Sequence, residues 1–76
     1  MKASQTNEFL IKLGNRISKL RKERNFTQEQ LAELIEIEAP NIRKLEKGKR
    51  NVTISTLIKI SNGFNMTVQE LLDFEE

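Results

Sequence analysis

Apolar residues recur at intervals of three and four along most of this chain, and nowhere do they alternate with polar residues for long enough to form a strand. Such a stripe covers one face of an α-helix, because a helix turns by about 100° per residue. Short polar or glycine-containing segments divide the pattern into five stretches. The sequence therefore predicts an all-α fold of five short helices.

Residues suited to begin helices stand at the predicted boundaries. Thr27 with Gln30, and Thr67 with Glu70, match the capping box, in which each side chain satisfies a free backbone N–H of the first turn. Thr53 is suited to cap the helix between them. The predicted helices cover residues 6–24 and 39–47 and begin near residues 27, 53 and 67.

Four further positions mark expected breaks or contacts. Gly48 is suited to end the third helix in a left-handed conformation, because glycine has no Cβ to clash, and Asn65 stands where the fourth helix needs the same. Pro40 suits the first turn of the third helix, where its missing N–H costs nothing. Gly14 interrupts the first stripe, so we expect a neighbouring helix to pack closely there.

The core must be mostly aliphatic, because the chain has four Phe and no Trp or Tyr. A chain of 76 residues buries only about 60–65% of its unfolded surface, which allows one modest core and no deep pocket. We expect residues 1–76 to form a single domain, with its core within residues 9–72. The expected core-facing residues are Phe9, Leu10, Leu13, Ile17 and Leu20 in the first helix, and Leu31, Ala32, Leu34 and Ile35 in the second; the fourth carries Ile54, Leu57, Ile58 and Phe64, and the fifth Val68, Leu71 and Leu72.

Histidine and cysteine are both absent. Their absence removes the side chain most used for proton transfer near neutral pH, the commonest metal ligand, and any disulfide or thiolate–zinc site. We therefore expect no enzymatic activity, cofactor, metal or small-molecule ligand. No apolar run reaches the roughly 18 residues of a membrane span, and the N-terminus has no signal-peptide segment, so a cytoplasmic protein is expected.

The net charge of +2 conceals an uneven distribution of charges. Residues 39–59 contain six basic side chains and one acidic side chain, whereas residues 60–76 contain four acidic side chains and no basic one. A basic segment of this kind indicates a surface that binds a polyanion. A helix face that is merely solvated is the alternative.

The segment from Thr27 to Arg50 begins with TQEQLA and contains I-x-x-x-E-x-G near its end. It closely resembles the helix-turn-helix family of Cro and lambda-repressor-like regulators, also described as the xenobiotic-response-element type, and the likeness extends from Leu13 to Leu72. The resemblance implies a five-helix domain whose second and third helices form the helix-turn-helix. It also implies a transcriptional repressor or controller that binds double-stranded DNA.

The resemblance implies roles for individual residues, and helical geometry agrees with them. At 100° per residue, Ile42, Leu45 and Glu46 share one face of the third helix, and basic residues take the other. Arg and Lys can donate to guanine, Asn can pair with adenine, and apolar groups can touch a thymine methyl. The implied base-reading residues are Ala39, Pro40, Asn41, Arg43 and Lys44, and the implied phosphate-binding residues are Gln28, Lys47, Lys49, Arg50 and Asn51.

Two charged residues stand where the stripes predict apolar ones. Arg21 lies four residues after Ile17, and Glu46 lies four residues after Ile42. The family pairs an Arg with a Glu at these positions, which implies a partly buried ion pair between the first and third helices. Two unrelated surface charges are the alternative.

Two positions depart from the family's pattern. Glu36 replaces the usual Gly of the turn, and a non-glycine residue in the left-handed conformation costs about 1 kcal/mol. Glu38 replaces the usual Ser that caps the recognition helix, which places a carboxylate near the expected phosphates. Its charge would favour the positive end of the helix. Both changes limit what the resemblance implies about the DNA sequence that is bound.

One recognition helix offers little contact for specificity, so we expect a homodimer on an inverted-repeat operator with half-site centres about 10 base pairs apart. The C-terminal region holds more apolar surface than its last helix needs. Ordinary core packing is the alternative there, and residues 1–12 are the alternative interface. The candidate interface residues are Phe64, Val68, Leu72 and Phe74.

Two other functions compete with DNA binding. A protein-interaction module, such as an antitoxin-like partner or adaptor, would use the same fold, but the basic residues at positions 43, 44 and 47 argue against it. A membrane-surface helix requires a basic amphipathic stretch without a tertiary partner. The caps and turns of this chain predict a packed bundle instead.

Overall fold

The computed structural model describes residues 3–74, which form five helices and no strand. The predicted all-α class is confirmed, and the first helix begins three residues earlier than expected. None of these helices combines the length and the apolar character that a membrane span requires. The helices are α1 Ala3–Glu23, α2 Gln28–Ile35, α3 Ala39–Glu46, α4 Ile54–Gly63 and α5 Val68–Leu71.

Hydrogen-bonding caps begin three of the helices, at the predicted residues. The Thr27 hydroxyl accepts the Gln30 backbone N–H at 3.0 Å, and the Gln30 side chain accepts the Thr27 backbone N–H at 2.9 Å. Thr67 and Glu70 form the same reciprocal pair at the start of α5. Thr53 accepts a backbone N–H in the first turn of α4. A cap of this kind contributes about 1 kcal/mol to stability.

The first four helices each end in a left-handed residue. The N–H of the following residue then donates to the carbonyl five positions earlier, at 2.9–3.1 Å, which is the Schellman arrangement. The predicted left-handed conformations of Glu36, Gly48 and Asn65 are confirmed. Among these left-handed residues only Glu36 is neither Gly nor Asn. The backbone strain of a left-handed conformation is therefore greatest in the turn between α2 and α3. The four residues and their φ angles are Asn25 at 60°, Glu36 at 61°, Gly48 at 72° and Asn65 at 58°.

Every helix contributes to one aliphatic core. The prediction was wrong for Leu34, which is 51% exposed. Leu31 and Ile35 define the inward face of α2, and Leu34 lies about 80° from its centre. Ile54 and Ile58 of α4 lie at a similar angle and are also exposed. The prediction was also wrong for Phe9 of α1, which is 37% exposed. The buried residues are Leu13, Ile17, Leu20, Leu31, Ala32, Ile35, Ile42, Leu45, Leu57, Ile60, Phe64 and Leu71.

The backbone of α1 lies directly against the end of α3. A Cβ on the buried Gly14 would stand 2.7 Å from the carbonyl oxygen of Glu46, and closer still to that of Leu45. Three residues earlier, the α1 backbone at Ile11 covers Gly48, where a Cβ would stand 2.8 Å from the Ile11 Cα. The close packing predicted at Gly14 is confirmed. α1 thus fixes both the end of α3 and the turn that follows it.

We expect Gly14→Ala to lower the free energy of unfolding by about 1–3 kcal/mol, because the backbone atoms of Leu45 and Glu46 that the new methyl group would meet cannot move aside. This loss exceeds the roughly 1 kcal/mol that alanine gains over glycine in helix propensity. Urea unfolding followed by circular dichroism measures it. Asn15→Ala, at the exposed neighbouring position, is the matched control and should leave stability unchanged or slightly raised. Equal stability of Gly14→Ala and the wild type would contradict the close contact.

Candidate nucleic-acid interface

α3 divides its residues between an inward and an outward face. Ile42 and Leu45 are buried on the inward face, and Glu46 lies beside them with its side chain 7% exposed. The outward face carries no buried apolar residue and ends in a run of basic side chains. The exposed residues from this face and the loop after it are Pro40, Arg43, Lys44, Lys47, Lys49, Arg50 and Asn51.

The predicted base-reading residues are not equally accessible. Pro40, Arg43 and Lys44 are exposed, whereas Ala39 and Asn41 are only partly exposed. Ala39 packs against the core from the first position of α3, so only part of its methyl group is available to a ligand. The outward surface is therefore dominated by two cations next to a proline.

The loop after α3 is held in place at its start. The Lys49 N–H donates to the Lys44 carbonyl at 3.0 Å, and left-handed Gly48 lies beneath Ile11 of α1. Lys49 and Arg50 therefore leave α3 in a defined direction, although their side chains are exposed. Together with Lys44, they extend the positive charge of the helix into the loop.

A partly buried ion pair joins α1 to α3, as the resemblance implied. The Arg21 Nε donates to Glu46 Oε2 at 2.6 Å, and the Arg21 Nη2 donates to Glu46 Oε1 at 3.2 Å. The Arg21 Nη1 donates to the Phe26 carbonyl at 2.8 Å. The two charged side chains are 11% and 7% exposed. The pair sets the orientation of α3 against α1.

Gln28 completes this network, and sequence reasoning did not anticipate the contact. Its Nε2 donates to Glu46 Oε1 at 2.9 Å, so α2 is joined to the same carboxylate. The side-chain amide has two hydrogens, and the second remains for another acceptor. Gln28 is also the first residue of α2, where backbone N–H groups lack partners within the helix. Its predicted contact with a phosphate is therefore compatible with its role in the network.

A second contact between α2 and α3 lies on the solvent side. The Arg43 Nη1 lies 3.9 Å from the Glu29 Oε2, with the two side chains 45% and 75% exposed. The spacing of the two residues in the sequence gives no signal for this pair, because it depends on how α2 crosses α3. Arg43 therefore has a carboxylate neighbour when no ligand is present.

The predicted interface near the C-terminus is wrong at Phe64. That side chain is 1% exposed, and the guanidinium of Arg24 lies 5.1 Å from the centre of its ring. Phe74 is partly buried and contacts Phe9 of α1, with ring centres 5.6 Å apart. Arg16 donates to the carbonyl of Glu70, which holds α5 against α1. Phe64 is therefore used within the chain, whereas Phe74 is only partly buried.

Val68 and Leu72 remain partly exposed at the edge of the core. Ile54 and Ile58 are 69% and 45% exposed and stand one turn apart on α4. The opposite side of α4 faces α2, because a Cβ on Gly63 would meet the Ile35 side chain. The sequence analysis placed both isoleucines among the core-facing residues of this helix, and their exposure corrects that prediction.

Within residues 3–74, no group of three or more acidic side chains is arranged to hold a metal ion. The described surface instead offers cations on one helix and the loop that follows it. Such a surface can bind an anionic polymer by charge and can donate hydrogen bonds from Arg, Lys and Asn side chains.

Comparison with known proteins gives consistent matches. A family model described as helix-turn-helix matches residues 17–71. Control protein C.MunI from a Mycoplasma species is 41% identical over 66 residues, which cover 86% of this chain and 89% of that protein. Control protein C.SmaI from Serratia marcescens is 38% identical over 60 residues, covering 79% and 71%. The crystal structure of the restriction-modification controller protein C.AhdI from Aeromonas hydrophila matches with a TM-score of 0.79 at 31% identity, covering 82% of this chain and 94% of that one.

We expect Arg21→Ala to lower the free energy of unfolding by about 3–5 kcal/mol, because it leaves the Glu46 carboxylate buried without its cation. Glu46→Ala should have a comparable effect. The double variant should lose much less than the sum, since neither charge is then left alone. Urea unfolding of the four proteins measures the coupling. Additive losses would contradict a direct ion pair.

Proposed function

Because this chain belongs to the helix-turn-helix family, we propose that it is a sequence-specific double-stranded DNA-binding transcriptional regulator, of the repressor or controller kind, that acts as a homodimer. The observation that carries this proposal is the outward face of α3, where Arg43 and Lys44 are exposed on a helix whose other face is fixed in the core. A helix of this kind fits a major groove about 12 Å wide. Its proposed place of action is the nucleoid in the cytoplasm, where operator DNA lies.

The proposed base contacts follow from the donors on this face. Arg43 and Lys44 donate to guanine O6 and N7, and Asn41 pairs with the edge of adenine. Pro40, together with the exposed part of Ala39, contacts a thymine methyl or the groove wall. The partial burial of Asn41 and Ala39 supports a shallow insertion, with the two cations reaching deepest.

Phosphate contacts are assigned to both sides of the recognition helix. On one side, Lys47, Lys49, Arg50 and Asn51 follow the DNA backbone from the exposed end of α3 and its loop. On the other, the N-terminus of α2 offers backbone N–H groups and the second amide hydrogen of Gln28. Contacts of this kind fix the position of the protein on the duplex and carry no base identity.

We place the dimer interface on the exposed side of α4 and the adjoining edge of α5. Ile54 and Ile58 present apolar surface that is 69% and 45% exposed, and Val68 with Leu72 adds partly exposed surface on α5. α4 begins a few residues after the recognition loop. We propose that a dimer formed there reads an inverted-repeat operator, with each copy of α3 in one of two half-sites about one helical turn of DNA apart.

We expect Arg43→Ala and Lys49→Ala to affect DNA binding in different ways. Arg43→Ala should reduce discrimination at one base pair of each half-site by about 1–3 kcal/mol, because a base contact is lost. Lys49→Ala should weaken binding to all duplexes about equally and lower the salt slope of the dimer by about 2, because one phosphate contact is lost in each half-site. Binding assays measure both effects, on the duplex that the wild type selects from a randomised pool and on its single-base variants, at 50–200 mM salt.

Lys59→Ala removes an equal charge from α4 and is the control outside the proposed contact surface. The wild type itself should lose affinity steeply with salt, by roughly 10³–10⁵ over this range for a dimer with 6–10 phosphate contacts. Identical behaviour of the Arg43 and Lys49 variants would contradict the placement of α3 in the groove. No sequence preference, or a flat salt dependence, would overturn the proposed function.

We expect Ile58→Glu to convert a dimer into a monomer, because a carboxylate buried in an apolar contact loses its hydration at a cost of several kcal/mol. The fold should persist, since Ile58 is 45% exposed in the single chain. Sedimentation at micromolar concentration, with circular dichroism, measures both. Leu34→Glu, at a residue of α2 that is 51% exposed, is the control and should remain dimeric. A monomeric wild type, or an Ile58→Glu variant that still dimerises, would contradict this interface.

A further inference from the structure

We propose that Glu29 is a positioning residue for base recognition: it holds the Arg43 guanidinium over the outward face of α3 and keeps it from binding phosphates indiscriminately. This inference rests on the proposed function and extends it to a residue of α2. The two atoms that support it are the Glu29 Oε2 and the Arg43 Nη1, 3.9 Å apart.

The position of Glu29 is fixed by its neighbour in the sequence. Gln28 donates to Glu46 at 2.9 Å, and Glu46 lies three residues after Arg43 on α3. The capping box of Thr27 also orders this turn. The first turn of α2 is therefore attached to α3 at a partly buried point, and Glu29 projects beside Arg43 from an ordered backbone.

The charge of Glu29 acts on DNA as well as on Arg43. A carboxylate in the first turn of α2 is stabilised by the positive end of the helix dipole. The carboxylate is directed toward Arg43, so its charge opposes a phosphate contact of Arg43 and leaves in place the phosphate contact proposed for Gln28 and the backbone N–H groups of α2. To reach a phosphate on DNA of unrelated sequence, Arg43 must leave this carboxylate. The phosphate contact brings no base hydrogen bond that would compensate for the lost ion pair.

On the preferred sequence, the carboxylate and the base use different edges of the guanidinium. With Nη1 directed toward Glu29, the Nη2 and Nε hydrogens remain for a two-point contact with guanine. An exposed ion pair is weak, so its influence on affinity amounts to a few-fold change. Glu29 therefore raises the ratio of specific to non-specific binding without dominating either.

The test measures Glu29→Gln on the duplex that the wild type selects, on its single-base variants and on an unrelated duplex. The base pair read by Arg43 is the one at which Arg43→Ala loses discrimination. We expect Glu29→Gln to narrow the preference at that base pair by about 2- to 5-fold and to tighten binding to the unrelated duplex by a similar factor. In an Arg43→Ala background, Glu29→Gln should leave the preference at that base pair unchanged.

Glu33→Gln is the matched control, because Glu33 is exposed one turn further along α2 and forms no ion pair within residues 3–74. It should not narrow the preference, and the thermal midpoints of both variants should match that of the wild type. An equal loss of preference at every base pair would overturn the inference and indicate a general charge effect. A loss of preference that Glu29→Gln still causes in the Arg43→Ala background would do the same. A wild type with a sequence preference that Glu29→Gln leaves intact would overturn this inference alone, whereas a wild type without any preference would overturn the proposed function.

Discussion

The guanidinium of Arg21 connects three helices at one point. It binds Glu46 of α3 through two nitrogens, Glu46 accepts from Gln28 of α2, and the third nitrogen of Arg21 donates to the turn carbonyl of Phe26. Aliphatic packing is non-directional, whereas a two-point pair between Arg and a carboxylate fixes angle as well as distance. Among the side chains that the structure describes, residues 7–74, no buried nitrogen or oxygen lacks a partner, so the network does not leave an uncompensated charge inside the fold. The direction in which α3 faces outward depends on this junction.

Backbone contacts complete what the ion pair begins. The absence of a side chain at Gly14 lets α1 approach the last carbonyls of α3, and Ile11 covers Gly48 just beyond them. These contacts prevent α3 from sliding along α1, while Arg21 prevents it from rotating. A helix of only eight residues is too short to be stable alone, so its geometry comes from α1 and α2. The contacts of α3 with α1 and α2 therefore fix the direction in which its cationic side chains face solvent.

Local signals in the sequence predicted much of this molecule. The caps at Thr27 and Thr67, and the left-handed residues Glu36 and Gly48, depend on neighbours within a few positions, and all are present. The Arg21–Glu46 pair was also accessible, because both charges interrupt apolar stripes and the resemblance connects them. The exposure of Leu34 and of Ile58 depends on which side of each helix meets its neighbours, which periodicity alone does not determine. The contacts of Gln28 and Glu29 with α3 depend on the angle between two helices and have no sequence signature.

The separation of the two faces of α3 has an evolutionary consequence. Ile42 and Leu45 are committed to the interior, whereas Arg43 and Lys44 between them make no contribution to the core. Substitutions on the outward side can therefore accumulate while the protein still folds. A duplicated gene can then acquire a new DNA target through changes at a few codons. Glu29 sets a limit to this freedom, because a new side chain at position 43 inherits a carboxylate beside it. Substitutions at positions 29 and 43 are therefore expected to be correlated among related proteins, although the two positions are fourteen residues apart in the chain.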